Sequence, residues 1–136
     1  MKMVITKAGR AALVNASQSG TAAVVVSEIG VGSGKYTATE SQTSLVSEIK
    51  RMPVIEGGQT GDHAIHVAMQ DAGSDAYSVY ELGVFLADGT LLAVYSQTEA
   101  IATKAATSEL LLSLDAAFVG VDVSGITFGD VTYGVA

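Results

Sequence analysis

The run Gly30-Val31-Gly32-Ser33-Gly34-Lys35 is the first place where residue types and spacing could do chemistry. Glycines followed by a lysine can cradle a phosphate with backbone N–H groups. The Walker pattern, however, requires glycine where Ile29 stands and Ser or Thr where Tyr36 stands. A dinucleotide fingerprint requires a helix straight after the glycines, with its N-terminus facing the pyrophosphate. Tyr36-Thr37-Ala38-Thr39 offers no strong helix, so a flexible turn is expected. His63 and His66 are the only histidines. The alternation of Ile65, Val67 and Met69 around them predicts a strand, where an offset of three sends the two rings to opposite faces. Asp71, Ser74 and Asp75 could offer oxygens to calcium, but they lack the spacing and terminal glutamate of a calcium loop and read better as a turn. There is no cysteine, no Gly-x-Ser-x-Gly elbow, and nothing that places a serine beside a histidine. Glu81 is the one acidic residue in a strongly apolar run; an Arg or Lys partner at a subunit contact would accommodate it, and so would an outward-facing edge position. No catalytic residue, metal site or cofactor is expected.

Composition narrows the classes further. The 136 residues suit one domain spanning the whole chain, 1–136. Hydrophobic residues make up 49% and charged residues 15%, enough apolar material for a core and too little charge for a disordered chain. Seven Lys and Arg against fourteen Asp and Glu give a net charge of -7, which repels phosphate backbones, so nucleic acid is not an expected partner. No apolar run approaches the roughly 20 residues of a membrane-spanning helix, and no membrane partner is expected. The opening Met1-Lys2-Met3-Val4-Ile5-Thr6-Lys7 lacks the long apolar stretch of a signal peptide, which predicts synthesis and assembly in the cytoplasm.

The elements that would position these residues are mostly strands. Thr6 can cap a helix running to about Ser17, with Ile5, Ala8, Ala12, Leu13 and Ala16 on one side. Gly9 inside it costs about 1 kcal/mol relative to Ala. Residues 21–29 read as a strand, followed by a loop containing Gly30, Gly32 and Gly34. Residues 44–51 fit a short helix or a strand equally, and Pro53 starts an extended segment ending in Gly57, Gly58, Gly61 and Asp62. Strands are predicted over 63–70, 109–118 and 126–133, and Ala87-Asp88-Gly89 between apolar runs 77–86 and 90–96 signals a hairpin. That hairpin is apolar on both faces, Val79 and Phe85 on one and Leu82, Val84 and Leu86 on the other, so both need cover. A helix, a second sheet or a neighbouring subunit could provide it. The expected fold is α+β, a mostly antiparallel, sandwich-like sheet system with the N-terminal helix packed on it.

The stretch from Tyr80 to Ser96, YELGVFLADGTLLAVYS, resembles the E-L-G-L-Y-x-x-D-G-T-L-x-A-V segment of phage tail fibre N-terminal domains. Ile5-Thr6-Lys7-Ala8-Gly9-Arg10-Ala11-Ala12-Leu13 is similar to the start of that family, Glu28–Gly34 to its I-x-x-G-x-G element, and Ile126–Asp130 to its closing strand. The resemblance implies a structural virion protein that fixes a fibre to the baseplate, with phage baseplate or tail proteins as partners and a homotrimer in the full fibre. Family members are often longer, with a shaft and a receptor-binding tip, whereas this sequence stops at Ala136. It would then be a separate domain, a shortened prophage product or a short fibre-like protein with a separate partner. Tyr80, Phe85 and Tyr95 are candidates for subunit or baseplate contact, because aromatic side chains are enriched in interface hot spots; core positions would suit them too. The alternatives are a carbohydrate-binding module, disfavoured by the absence of Trp, and a depolymerase with a carboxylate pair in a cleft.

Overall fold

The computed structural model describes residues 3–19, 24–61, 63–117 and 126–128. In chain order the elements are β1 (Val4–Ile5), α1 (Lys7–Ser19), β2 (Val24–Gly32), β3 (Glu48–Gly61), β4 (Ala64–Asp71), β5 (Tyr77–Val79), β6 (Glu81–Leu86), β7 (Leu91–Ser96), β8 (Ala102–Lys104), β9 (Leu110–Ala117) and β10 (Ile126–Thr127). Thr6 starts the helix as anticipated: its Oγ1 accepts the Gly9 N–H at 2.9 Å, and its carbonyl accepts the Arg10 N–H. The same hydroxyl donates to the Leu91 carbonyl, while the Thr6 N–H donates to Leu92 O at 3.0 Å. One buried residue therefore caps α1 and ties it to β7. Gly9 lies over Leu92 so closely that a Cβ there would sit 2.6 Å from the Leu92 carbonyl oxygen. The buried side of the helix is Gly9 and Leu13 with Ala12 half-buried; Ala8, expected on that side, is exposed.

The main sheet path runs β1-β7-β6-β2-β3-β4-β9, every neighbouring pair antiparallel, with β10 parallel to β2 beside it; β5 and β8 pair separately. The fold is a mostly antiparallel, half-barrel-like sheet system with one N-terminal helix, in keeping with the expected α+β, sandwich-like arrangement. Strand β3 belongs to two pairings in turn. Glu48 to Pro53 pair with β2, and from Val54 onward the strand pairs with β4. Pro53, the single proline, stands at the changeover, where its missing N–H spares the ladder, and a register shift follows between Val54 and Glu56. Before Glu28, β2 is left without β3; there β10 lies alongside, Ile126 opposite Val24 and Thr127 opposite Val25.

Several expectations shift accordingly. Gly30 and Gly32 lie inside β2 and Gly57 and Gly58 inside β3, all placed in loops by the sequence reading because glycine marks turns more often than close packing. Residues 44–47 are irregular and a strand begins at Glu48, which settles the helix-or-strand alternative in favour of strand only for its second half. His63 sits in a turn before β4, not on it. Residues 77–79 pair with β8, a strand not anticipated, and not with the β6–β7 hairpin. The expected residues 20–23, Asp62, Phe118 and 129–133 lie outside the described residues.

The core is built as alternation predicts. Ile65, Val67 and Met69 of β4 are fully buried, and β9 alternates strictly, with Leu110, Leu112, Leu114 and Ala116 inside. These face Val26, Ile29 and Val31 of β2 and Leu82, Val84 and Leu86 of β6 in one continuous cluster. Each such side chain contributes roughly 1.5–3 kcal/mol of transfer free energy. The opposite face of the hairpin carries a second cluster, Leu45, Phe85, Leu91 and Val94, with Val4 and Ala38 against it. Its cover is the irregular segment 33–47 of the same chain, so both apolar faces are buried within one subunit. At the hairpin tip Gly89 takes φ +92°, and Asp88 Oδ1 accepts the Thr90 N–H at 2.9 Å, as an Asp-Gly turn should.

Candidate functional site

Glu81 opens β6 and is fully buried. Its side chain neither meets a cation nor faces outward, the two alternatives the sequence left open. Oε2 accepts the N–H groups of Gly34 (2.9 Å) and Ser47 (2.7 Å); Oε1 accepts the Val46 N–H (2.9 Å) and the Tyr36 hydroxyl (2.6 Å). Four donors from both ends of the 33–47 segment therefore converge on one carboxylate, which satisfies its lone pairs without an ion pair. Gly32 makes room for it, since a Cβ there would stand 2.5 Å from Oε2. Gln42 donates to the Tyr36 hydroxyl oxygen at 2.6 Å, and burial together with the hydrogen bond to Glu81 pushes the Tyr36 phenol up to about 12.

Two positions along the same face stands Phe85, fully buried in β6. Gly30 and Gly83 flank its ring: a Cβ on either would come within about 3 Å of Phe85 Cε2. The Arg51 guanidinium lies over the ring, 3.7 Å from its centroid, and Glu48 holds it through Nε at 3.1 Å. Tyr80 is half-buried and carries Lys35 Nζ above its ring at 4.3 Å. Tyr95 is half-buried, donates from its hydroxyl to Gln97 at 2.6 Å, and lines a groove of about 470 Å³ with Val4, Tyr36, Ala38, Ser96 and Gln97. Of the three aromatic candidates, Tyr80 and Tyr95 thus reach the surface, whereas Phe85 is fully buried beneath Arg51. They are not gathered into one pocket.

At the turn between β4 and β5, Lys50 Nζ bridges Asp71 (2.9 Å) and Asp75 (2.9 Å), and the Tyr77 hydroxyl donates to Asp71 at 2.6 Å. The Tyr77 hydrogen bond, seconded by Lys50, holds the Asp71 carboxyl down at about 2 despite its burial. Lys104, also buried, lies beneath the same turn. Across β3, β4 and β9, His66 stands between Glu56 and Asp115, Nε2 3.2 Å from the one and Nδ1 2.9 Å from the other. Among the described residues no group of three or more His, Asp or Glu is arranged to hold a metal. Lys35 of the glycine run is spent on Tyr80, and no helix follows it.

Sequence reasoning missed Glu81 as a hub, because its partners are backbone N–H groups that leave no side-chain signature. The juxtaposition of a charged residue with glycines at Gly32, Gly34 and Gly83 was the available hint. Arg51 and Lys104 gave no signal of their roles.

One family model, described as phage tail-collar fibre protein, N-terminal, matches residues 1–113. The match takes in the Thr6–Gly9 cap, the β2 glycines and the whole β6–β7 hairpin, and it ends before the Ile126–Asp130 element. No curated protein and no solved structure matches the chain.

Proposed function

The chain belongs to the phage tail-collar fibre protein N-terminal family, and on that premise we propose that it fixes a fibre to the phage baseplate through its own folded surface. The family consists of structural tail components, so the chain is a virion protein and not an enzyme, with baseplate or tail proteins as its partners. The observation that carries the attachment role is that the Glu-Leu-Gly hairpin is locked from within. Glu81 fixes the 33–47 segment, Gly83 admits Phe85, and the surface so formed is preorganised for docking without a ligand. Tyr80 and Tyr95 are the proposed contact residues, with Phe85 acting beneath Arg51 as their support. Residues 1–136 act as one attachment unit assembled in the bacterial cytoplasm, and the full fibre is a homotrimer. Because both hairpin faces find cover within one chain, trimer contacts belong to other surfaces.

A sugar-binding role draws less support. The Tyr36 and Tyr95 hydroxyls beside the groove are already bonded to Glu81 and Gln97.

The test is competition for tails that lack fibres. The isolated chain, added in excess, should block attachment of the full fibre as seen by electron microscopy, and a Tyr80→Ala/Tyr95→Ala double variant should block it at least about tenfold less well. Full fibre loading in the presence of excess wild-type chain would end the attachment proposal.

A further inference from the structure

Lys104 sits on β8 with 1% of its surface exposed. All three ammonium protons go to main-chain carbonyls: Gly73 O at 2.5 Å, Asp75 O at 2.6 Å and Ala105 O at 3.1 Å. A second ammonium, Lys50, takes the side-chain oxygens of the same turn, those of Asp71 and Asp75. Asp71 also folds back on the turn by accepting the Gly73 N–H at 2.9 Å. The carboxylates of Asp71 and Asp75 and the carbonyls of Gly73 and Asp75, with the Ala105 carbonyl brought in from beside β8, are the kind of oxygen set that a hard cation would collect. Here two lysines divide it.

We propose that Lys104 is a built-in cation, its ammonium filling a three-carbonyl cage so that the turn between β4 and β5 is ordered without any bound metal. The competing account is that Lys104 merely packs its aliphatic stem against its neighbours. The geometry favours the charge. A packing role would leave the ammonium near solvent, as lysines usually arrange, whereas this one is turned inward onto three carbonyls, of which Ala105 O also accepts from Ser108. It follows that the cage discriminates by charge and donor number, and that without the side chain it should accept a free primary ammonium.

The experiment is thermal unfolding of the whole chain as wild type and Lys104→Ala, which removes the equivalent of n-propylammonium. Wild-type Tm should be indifferent to calcium chloride and to a chelator. The variant should fall by roughly 10 °C and recover saturably with n-propylammonium chloride, but not with 1-propanol or sodium chloride at the same concentration. Equal recovery by 1-propanol, no recovery at all, or stabilisation of the wild type by calcium would overturn the proposal. Should Lys104→Ala fail to fold, Lys104→Met keeps most of the stem and hydrogen exchange reads the turn directly. Its amides over residues 73–76 should lose protection by about tenfold or more while those of β2 keep theirs; unchanged protection in the turn would be equally fatal.

Discussion

Glu81 accepts four hydrogen bonds where no water reaches it, so small changes of its end group have large consequences. Glu81→Gln keeps the shape but turns one acceptor into a donor facing two donors. We expect a loss of roughly 2–4 kcal/mol in urea unfolding, with the 33–47 segment losing protection first; a loss below about 0.5 kcal/mol would mean the carboxylate is not the anchor. Asp71 makes a prediction in pH. Its carboxyl lies at about 2 in the folded chain against an ordinary 3.8, so the unfolded chain binds the proton more tightly. The stability it contributes is complete above the ordinary value and drains away as pH falls from there towards about 2. Asp71→Asn should flatten the stability curve in that window and leave the acid limit nearly unchanged. Tyr36 works in the opposite sense. Its phenol is raised from 10.0 to about 12, so its contribution holds below 10 and is lost as pH rises towards 12; Tyr36→Phe should remove that alkaline slope.

At the scale of elements, α1 inverts a rule of helix propensity. Replacing a helical glycine by alanine stabilises an exposed helix by about 1 kcal/mol, yet a Cβ on Gly9 would strike the Leu92 carbonyl at 2.6 Å. Gly9→Ala should therefore destabilise the protein by about 1–3 kcal/mol, measured by the same unfolding transitions. The sequence showed the cap, the alternation of β4 and β9 and the Asp-Gly hairpin, since each rests on local spacing or turn chemistry. It showed neither the strand identity of Gly30, Gly32, Gly57 and Gly58 nor the pairing of β5 with β8. Those depend on what lies opposite: Phe85 over Gly30, Glu81 over Gly32, Lys104 beneath the turn. A glycine written for a neighbour 50 residues away reads locally as a turn. Of the aromatic candidates named from the sequence, Tyr80 and Tyr95 are half-buried and Phe85 is buried, while the hub at Glu81 was hidden in backbone bonds.

For the molecule as a whole, the question is where one subunit ends. Both faces of the β6–β7 hairpin are covered by the chain itself, α1 closes over β7, and the large apolar side chains that remain exposed among the described residues, Val14, Val46, Ile49, Ile55 and Leu111, are distributed over α1, the 33–47 segment, β3 and β9. Light scattering on a sizing column should return the mass of a monomer for residues 1–136. A trimer would show that the head itself carries threefold contacts, and would direct attention to Leu111 on the edge strand β9. The parallel pairing of β10 with β2 adds a constraint of time. Ile126 lies opposite Val24, so the ladder is completed by residues that leave the ribosome about a hundred positions after their partners. At roughly 5–20 residues per second, the early strands wait several seconds for that partner. During that interval the edge of β2 before Glu28 lacks its final partner, which leaves that edge open to mispairing in the nascent chain.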